Sequence, residues 1–305
     1  MTSMNQTVSI ILPTYNRAGL ITETISSIVQ QTYPYWELII VDDGSTDNTE
    51  DLVLAVHDHR IRYFKEPRCG IGGKIKNRGL QKASGELIAF IDSDDLWAPS
   101  KIEKQVAALI QYPGAGFCLT GGYNFRNKLE AADYFYKKTS GLRYDNLFNS
   151  CFQSEVAAFI QTLVMRRACL DTAGWFKEEK SFSDVEFIYE LAWYFKGIIL
   201  YEPLVYRRLH EENFITPNWE KSHKDGLAII RSYRKKLPGR VWSHALFRAR
   251  LNLGEKYLKN KQRQKALINF LAAWRYHWLS ITPAKKIIKT FLSLFTGKYL
   301  HDHFC

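Results

Sequence analysis

Two acidic turns, Val41-Asp42-Asp43-Gly44-Ser45-Thr46-Asp47 and Phe90-Ile91-Asp92-Ser93-Asp94-Asp95, decide how the first two hundred residues are read. Each follows a short apolar run, Leu38 to Val41 or Leu87 to Ile91, that reads as a strand buried on both faces of a parallel sheet. Acids therefore gather at strand C-terminal ends, where open α/β sheets bind ligands. Asp92 and Asp94 stand two apart across a turn. Magnesium or manganese prefers such hard carboxylate oxygens, with the phosphates of a nucleoside diphosphate completing the shell.

Working outward, strand and helix signals alternate. Val8 to Leu12 is a strand, Ile21 to Gln31 a helix with Ile21, Ile25, Ile28 and Val29 on one face, and Asp47 to Val56 a short helix. Ile61 to Phe64 is a strand, Lys74 to Lys82 a helix, and Pro99 to Gln111 a helix with proline at its first turn. A strand near Phe159 to Met165, a helix from Asp184 to Phe195 and a strand near Ile198 to Tyr206 follow. This βαβ series predicts a parallel sheet. The aromatic stretch 122–158 is irregular and fits an acceptor-side insertion.

With Pro13-Thr14-Tyr15-Asn16-Arg17 after the first strand, the two turns complete a pattern that resembles the family 2 glycosyltransferases, an inverting group with the GT-A fold. The three segments stand in the family's order, and the resemblance covers roughly residues 7 to 215. It implies an α/β, doubly wound, mostly parallel sheet and a nucleotide-sugar donor. Asp43 would contact the base, with Thr14 near the base or ribose and Pro13 and Tyr15 in the same donor segment. Asp92 and Ser93 would face the diphosphate, and Asp94 would be the direct ligand of Mn2+ or Mg2+.

Each residue also has a plainer reading. Asp42 and Asp43 are good turn formers before Gly44. Asp92, Asp94 and Asp95 could be a solvated loop or a cap for the Pro99 helix, although three carboxylates so close repel one another unless a cation sits among them. In Arg68-Cys69-Gly70-Ile71-Gly72-Gly73-Lys74-Ile75-Lys76-Asn77-Arg78-Gly79 the family's Ala-Arg-Asn becomes Ile75-Lys76-Asn77. Lys76 keeps the charge without the bidentate fork; it is either a donor-site cation or a solvated helix lysine. These glycines do not form the dinucleotide-binding spacing.

An inverting transfer needs a carboxylate opposite the leaving diphosphate to take the acceptor hydroxyl's proton. Ser183-Asp184-Val185-Glu186 is the segment the resemblance points to, with Asp184 as base and Glu186 as substitute. It also reads as a capping box, Ser183 capping the helix and Glu186 folding back to its amide, with Asp184 meeting the helix dipole. Tyr206-Arg207-Arg208-Leu209-His210 resembles the family's Tyr-Arg-x-His segment. His210 is thereby a second candidate metal ligand, and Arg207 or Arg208 a screen for phosphate charge. Trp175 would floor the acceptor sugar or fill core.

Composition bounds the rest. At 305 residues and 46% hydrophobic content the chain can bury a sizeable core. Five cysteines form no CxxC pair, which suits a reduced compartment, and no apolar run approaches the roughly 20 residues of a spanning helix. No signal peptide is recognised, so a cytoplasmic protein, peripheral at the inner membrane face, is expected.

The net charge of +11 is uneven. Residues 219–305 hold 19 Lys plus Arg against 4 Asp plus Glu, and the remainder 23 against 27. Basic and large apolar residues alternate there, as in Leu267, Phe270, Leu271, Trp274 and Trp278, which favours amphipathic helices on an anionic membrane surface. Leu251 to Trp274 is similar to one tetratricopeptide unit, which cannot bury its own face alone.

The expected division is therefore a catalytic domain over 1–218 and an all-helical basic region over 219–305. The expected activity is single-sugar transfer from a UDP sugar to a saccharide or lipid-linked saccharide of a bacterial surface polysaccharide, with no nucleic-acid partner. The processive members' Gln-x-x-Arg-Trp segment does not occur. A noncatalytic sugar-nucleotide binder and a sugar nucleotidyltransferase are the alternatives, the latter lacking its Gly-rich loop after the first strand.

Overall fold

The structure is a computed structural model that describes residues 5–126, 132–178, 183–209 and 219–276. The chain separates into two compact units, Met1–Asn213 and Phe214–Cys305.

The first unit runs β1 (Val8–Thr14), α1 (Ile21–Val29), β2 (Trp36–Asp42), α2 (Thr49–Leu54), β3 (Ile61–Lys65), α3 (Gly72–Lys82) and β4 (Leu87–Phe90). It continues with β5 (Leu96–Trp97), α4 (Lys101–Gln111), β6 (Ala115–Phe125), β7 (Ala132–Tyr134), β8 (Leu142–Asp145), α5 (Phe148–Phe152), β9 (Val164–Arg166), α6 (Leu170–Ala173), α7 (Ser183–Tyr194) and β10 (Lys196–Arg208). One sheet holds all ten strands, in the order β3-β2-β1-β4-β9-β6-β10-β5, with β7 on β6 and β8 on β10.

The strands β3, β2, β1 and β4 are parallel, as are β6 and β10, while β9 lies antiparallel between β4 and β6. Alternation along each strand fills both faces. Val8, Ile10, Leu12, Leu38 and Ile40 share one core cluster with Ile21, Ile25 and Ile28 of α1 and Ile102, Val106 and Leu109 of α4. On the opposite face Phe90 packs edge-on against Phe176 and Phe187, which stack on each other at 4.2 Å. Two covered faces are why these strands read as unbroken apolar runs.

The structure departs from expectation in several places. The predicted strand Phe159–Met165 splits into a 3-10 turn at Ile160–Thr162 and the short β9. The α2 and α4 helices start later than expected, at Thr49 and Lys101. Residues 122–158, left without assignment, contain the end of β6, then β7, β8 and α5.

The eleven-residue β6 is not legible because three glycines, Gly116, Gly121 and Gly122, mask its pattern. The last two are there for clearance. β10 is irregular between Leu200 and Val205, and a Cβ on Gly121 would lie 2.6 Å from Tyr201 O and one on Gly122 2.3 Å from Val205 O.

In the second unit, α8 (Trp219–Ser232), α9 (Gly239–Lys259) and α10 (Arg263–Tyr276) share one cluster of Leu227, Leu246, Leu253, Tyr257, Ala266 and Phe270. The inner face of the α9–α10 hairpin is thus covered partly by its own third helix. No described helix is long and apolar enough to cross a membrane. Cys69, Cys118, Cys151 and Cys169 are unpaired thiols, and Cys305 lies outside the described residues.

Candidate active site

Three parallel strands end side by side. Thr14 of β1 is level with Asp42 of β2, and β4 runs beside β1, so the residues following each strand line one edge of the sheet. The loops there are laced together. Ser45 Oγ accepts the Asn16 amide at 2.8 Å, Asp47 Oδ2 the Ala18 amide at 3.0 Å, and Thr49 Oγ1 the Arg17 amide at 2.9 Å. Asn16 takes a positive φ of 48°, which asparagine tolerates better than most residues.

The two acids of the first turn have different environments. Asp42 is fully buried; its carboxylate accepts the Ser45 amide at 2.7 Å and the Tyr63 hydroxyl at 2.5 Å, which makes it the turn former. Burial and Asp42 together keep the Tyr63 hydroxyl protonated. Asp43 instead faces the loop before α3. It accepts the amides of Cys69 at 2.7 Å and Gly70 at 2.8 Å and the Arg68 guanidinium, whose carbon lies 3.6 Å over the Tyr15 ring.

Burial pushes the Asp43 carboxyl up, but the two amides and Arg68 outweigh it and hold it below the ordinary value. Gly44 (φ 77°) leaves room for this loop, since a Cβ would lie 3.0 Å from Arg68 N. Beside Asp43, whose amide donates to Thr14 O at 2.9 Å, Thr14 Oγ1 is buried with no hydrogen-bond partner among the described residues. A buried hydroxyl left so is costly unless a ligand satisfies it. Pro13 is the β1 residue level with Val41.

The second turn also divides its acids. Asp95 is structural: its carboxylate accepts Gln161 Nε2 at 2.6 Å and the Arg208 amide at 2.8 Å, and its carbonyl accepts Thr24 Oγ1 at 2.9 Å. Burial pushes its carboxyl well up. Asp92 is pushed up to about 6 by burial, with Asp184 and Asp94 adding to the rise and Lys76 opposing it. Asp94 is partly exposed and lies 3.8 Å from Arg17, while its carbonyl accepts Arg208 Nε at 3.0 Å; Ser93 is buried between the two acids. The reading of this turn as a solvated loop does not fit that burial, and the residue at the N-cap of α4 is Ser100 rather than one of these acids.

The donor set suits a divalent cation. Asp92 and Asp94 repel each other, and a cation relieves that repulsion. No three His, Cys, Asp or Glu side chains converge among the described residues, so one or two carboxylates would hold the ion and diphosphate oxygens would complete its shell. His210, the other candidate ligand, lies outside the described residues. Arg207 packs its guanidinium 4.2 Å over Phe159 and donates to Asn124 Oδ1 at 2.8 Å. Burial lowers its basicity against the opposing pull of Asp95 and Asp92.

Lys76 is no solvated lysine. Its side chain is 7% exposed, and Nζ lies 2.9 Å from both carboxylate oxygens of Asp184. Burial draws its pKa down, but Asp184 and Asp92 more than offset it and keep the amine charged. Glu186 is buried and accepts Lys177 Nζ at 2.6 Å. Ser183 is the first helical residue of α7, and its hydroxyl packs against Gly73 of α3. Of the two acids Asp184 is the more exposed. Trp175 is 45% exposed and fills no core.

Asn77, Arg68, Tyr63 and Gln161 went unrecognised as site builders. Asn77 and Arg68 stand in a segment already singled out, but nothing local shows that the Asn77 amide bonds the Phe176 backbone or that Arg68 reaches Asp43. Tyr63 and Gln161 carry no signal at all.

The sequence model of glycosyl transferase family 2 matches residues 9–168. The UDP-Glc:alpha-D-GlcNAc-diphosphoundecaprenol beta-1,3-glucosyltransferase WfgD of Escherichia coli is 36% identical over 144 residues, 47% of this chain and 56% of its own. The chain spans about half the length of the curated relatives it matches.

Among solved structures, S. aureus TarS 1–349 in complex with UDP-GlcNAc superposes with a TM-score of 0.69 at 23% identity, over 96% of this chain and 93% of that one. The mannosyltransferase PcManGT of Pyrobaculum calidifontis, in complex with GDP-Man and Mn2+, gives 0.60 at 21%, over 95% and 81%. These likenesses show the fold, in agreement with the expected GT-A arrangement.

Proposed function

The chain belongs to glycosyl transferase family 2, and from that premise we infer that it moves a sugar, with inversion, from a UDP sugar to a hydroxyl of a saccharide or lipid-linked saccharide. The observation that carries this reading is the placement of Asp43, Asp92 and Asp184. Asp43 is kept ionised at the strand-end edge beside the Thr14 hydroxyl, which has no partner among the described residues, and Asp92 lies within electrostatic reach of the Lys76–Asp184 pair.

Asp43 accepts hydrogen bonds at the nucleobase, with Thr14 nearby and Tyr15 and Pro13 flanking. Asp92, Ser93 and Asp94 face the diphosphate; Asp92 and Asp94 would hold Mn2+ or Mg2+, which when bound would supply positive charge to offset that of the leaving group. Asp184 takes the proton of the attacking acceptor hydroxyl as the bond to the anomeric carbon forms and the bond to the diphosphate breaks. The catalytic domain is assigned to 1–218.

Region 219–305 is assigned to an anionic membrane face. The acceptor named for WfgD, a diphosphoundecaprenol, is of the lipid-linked kind that such a location would serve. Supporting this, Ile268, Leu271 and Trp274 on α10 are 62%, 47% and 40% exposed, in a region rich in Lys and Arg.

Release of nucleoside diphosphate is the test. UDP-glucose, UDP-N-acetylglucosamine and GDP-mannose are offered with MnCl2 or MgCl2, with and without chelator, to wild type and Asp94→Asn. Release from one donor that fails on chelation and falls about 100-fold in Asp94→Asn is expected. Failure to bind any donor would sink the assignment.

A further inference from the structure

Helices α3 and α7 belong to distant parts of the chain, yet their first turns touch. A Cβ on Gly73 would lie 2.9 Å from Lys177 O and 3.1 Å from Ser183 Oγ, so only glycine lets the helix ends meet. One turn along α3, Lys76 reaches Asp184 in the first turn of α7, with Nζ 2.9 Å from each carboxylate oxygen. The amine is almost wholly withdrawn from water, and the carboxylate is 31% exposed. The pair is therefore open on the carboxylate's side only.

We propose that Lys76 is a positioning residue for Asp184, acting on the reaction through that carboxylate rather than by holding the donor. This rests on the reading of Asp184 as base. A carboxylate has about four lone-pair sites, and a lysine reaching both oxygens from the buried side leaves the outward ones for an incoming hydroxyl. Proton abstraction demands geometry first, and a side chain tethered at both oxygens cannot rotate away. Phe176, its ring centre 5.8 Å from Nζ, and Asn77, which grips the Phe176 backbone, back the pair and keep the amine in place.

The test is a double-variant cycle on UDP release from UDP-glucose or UDP-N-acetylglucosamine with MnCl2, water being the acceptor. Lys76→Met should slow release about 10-fold with the donor KM held within about twofold, Asp184→Asn about 100-fold, and the double variant no further than Asp184→Asn. Lys76→Arg, which offers the carboxylate a guanidinium fork, should recover most of the loss. Lys76→Gln, a donor without charge, should fall between.

UDP binding by calorimetry should be equal in all variants, which also certifies their fold. Multiplicative losses in the double variant, or weaker UDP binding by Lys76→Met or Lys76→Gln, overturn the proposal while leaving Asp184 in its role. Undiminished release by Asp184→Asn overturns the reading of the base, and the proposal with it.

Discussion

The Asn77 side-chain amide grips the Phe176 backbone in both directions, donating to its carbonyl at 2.9 Å and accepting from its amide at 3.1 Å. It also donates to Glu178 Oε1 at 3.0 Å. Asn77 therefore ties α3 to the segment that leads into α7, one residue after Lys76 reaches Asp184.

That clamp should be costly to lose. Asn77→Ala removes both partners of buried Phe176 backbone groups, and each buried group left unsatisfied costs about 1–3 kcal/mol. Asn77→Asp keeps the size but cannot donate to the Phe176 carbonyl, so it should lose stability too. Urea denaturation of the two variants measures this; a loss below about 0.5 kcal/mol in both would show that the segment is held elsewhere.

Lys101 gives a pH dependence of unusual sign. It is fully buried, with Nζ 2.7 Å from Gln105 Oε1 and 3.9 Å from the Trp97 ring centre, and burial lowers its pKa to about 7. Between about pH 7 and its unfolded value near 10.4 the unfolded chain holds a proton that the folded one has released, so stability contributed by this group rises with pH. Wild type should therefore gain on Lys101→Met by up to about 1.4 kcal/mol per pH unit in that window. Denaturation curves at pH 6, 7.5 and 9 check it, and a constant difference would mean that the amine is never neutralised.

Two glycines in the second unit should answer oppositely to alanine. A Cβ on Gly254 of α9 would lie 2.4 Å from Phe270 Cε1 in α10, whereas Gly226 of α8 has nothing within 4 Å. Overpacking costs about 1–3 kcal/mol and outweighs the roughly 1 kcal/mol of helix propensity that alanine adds. Gly254→Ala should lower the thermal transition of the helical unit, and Gly226→Ala should raise it. A rise in both would mean that α9 and α10 part easily.

The proposed membrane face has its own test. Flotation with vesicles containing phosphatidylglycerol should carry the full chain, and replacing Ile268, Leu271 and Trp274 by serine should reduce the bound fraction by about 10-fold or more, since each large apolar side chain buried contributes about 1.5–3 kcal/mol. Equal flotation of the variant would assign any binding to charge alone, and none by the wild type would remove the membrane from the proposal.

What could be read without a structure was local. A strand covered on both faces must be apolar throughout, and acids following it must sit at its end, so β1, β2, β4 and their turns were legible to within about two residues. That the chain beyond about residue 218 is helical followed from its amphipathic pattern in the same way. β6 was not legible, because its glycines answer to the irregularity of β10 some eighty residues away. Asp95 looked like Asp92 and Asp94 until Gln161 and Arg208 were seen to occupy it.

By itself, the sequence determined the strand-ending turns, the family and the candidate acids, since these depend on neighbours along the chain. Only the tertiary structure decided which acid holds a turn and which faces outward, and that Lys76 pairs with Asp184. Those 108 residues of separation close through the packing of two helix ends on one face of the sheet, and hydrogen bonds between such distant groups leave no periodicity to read.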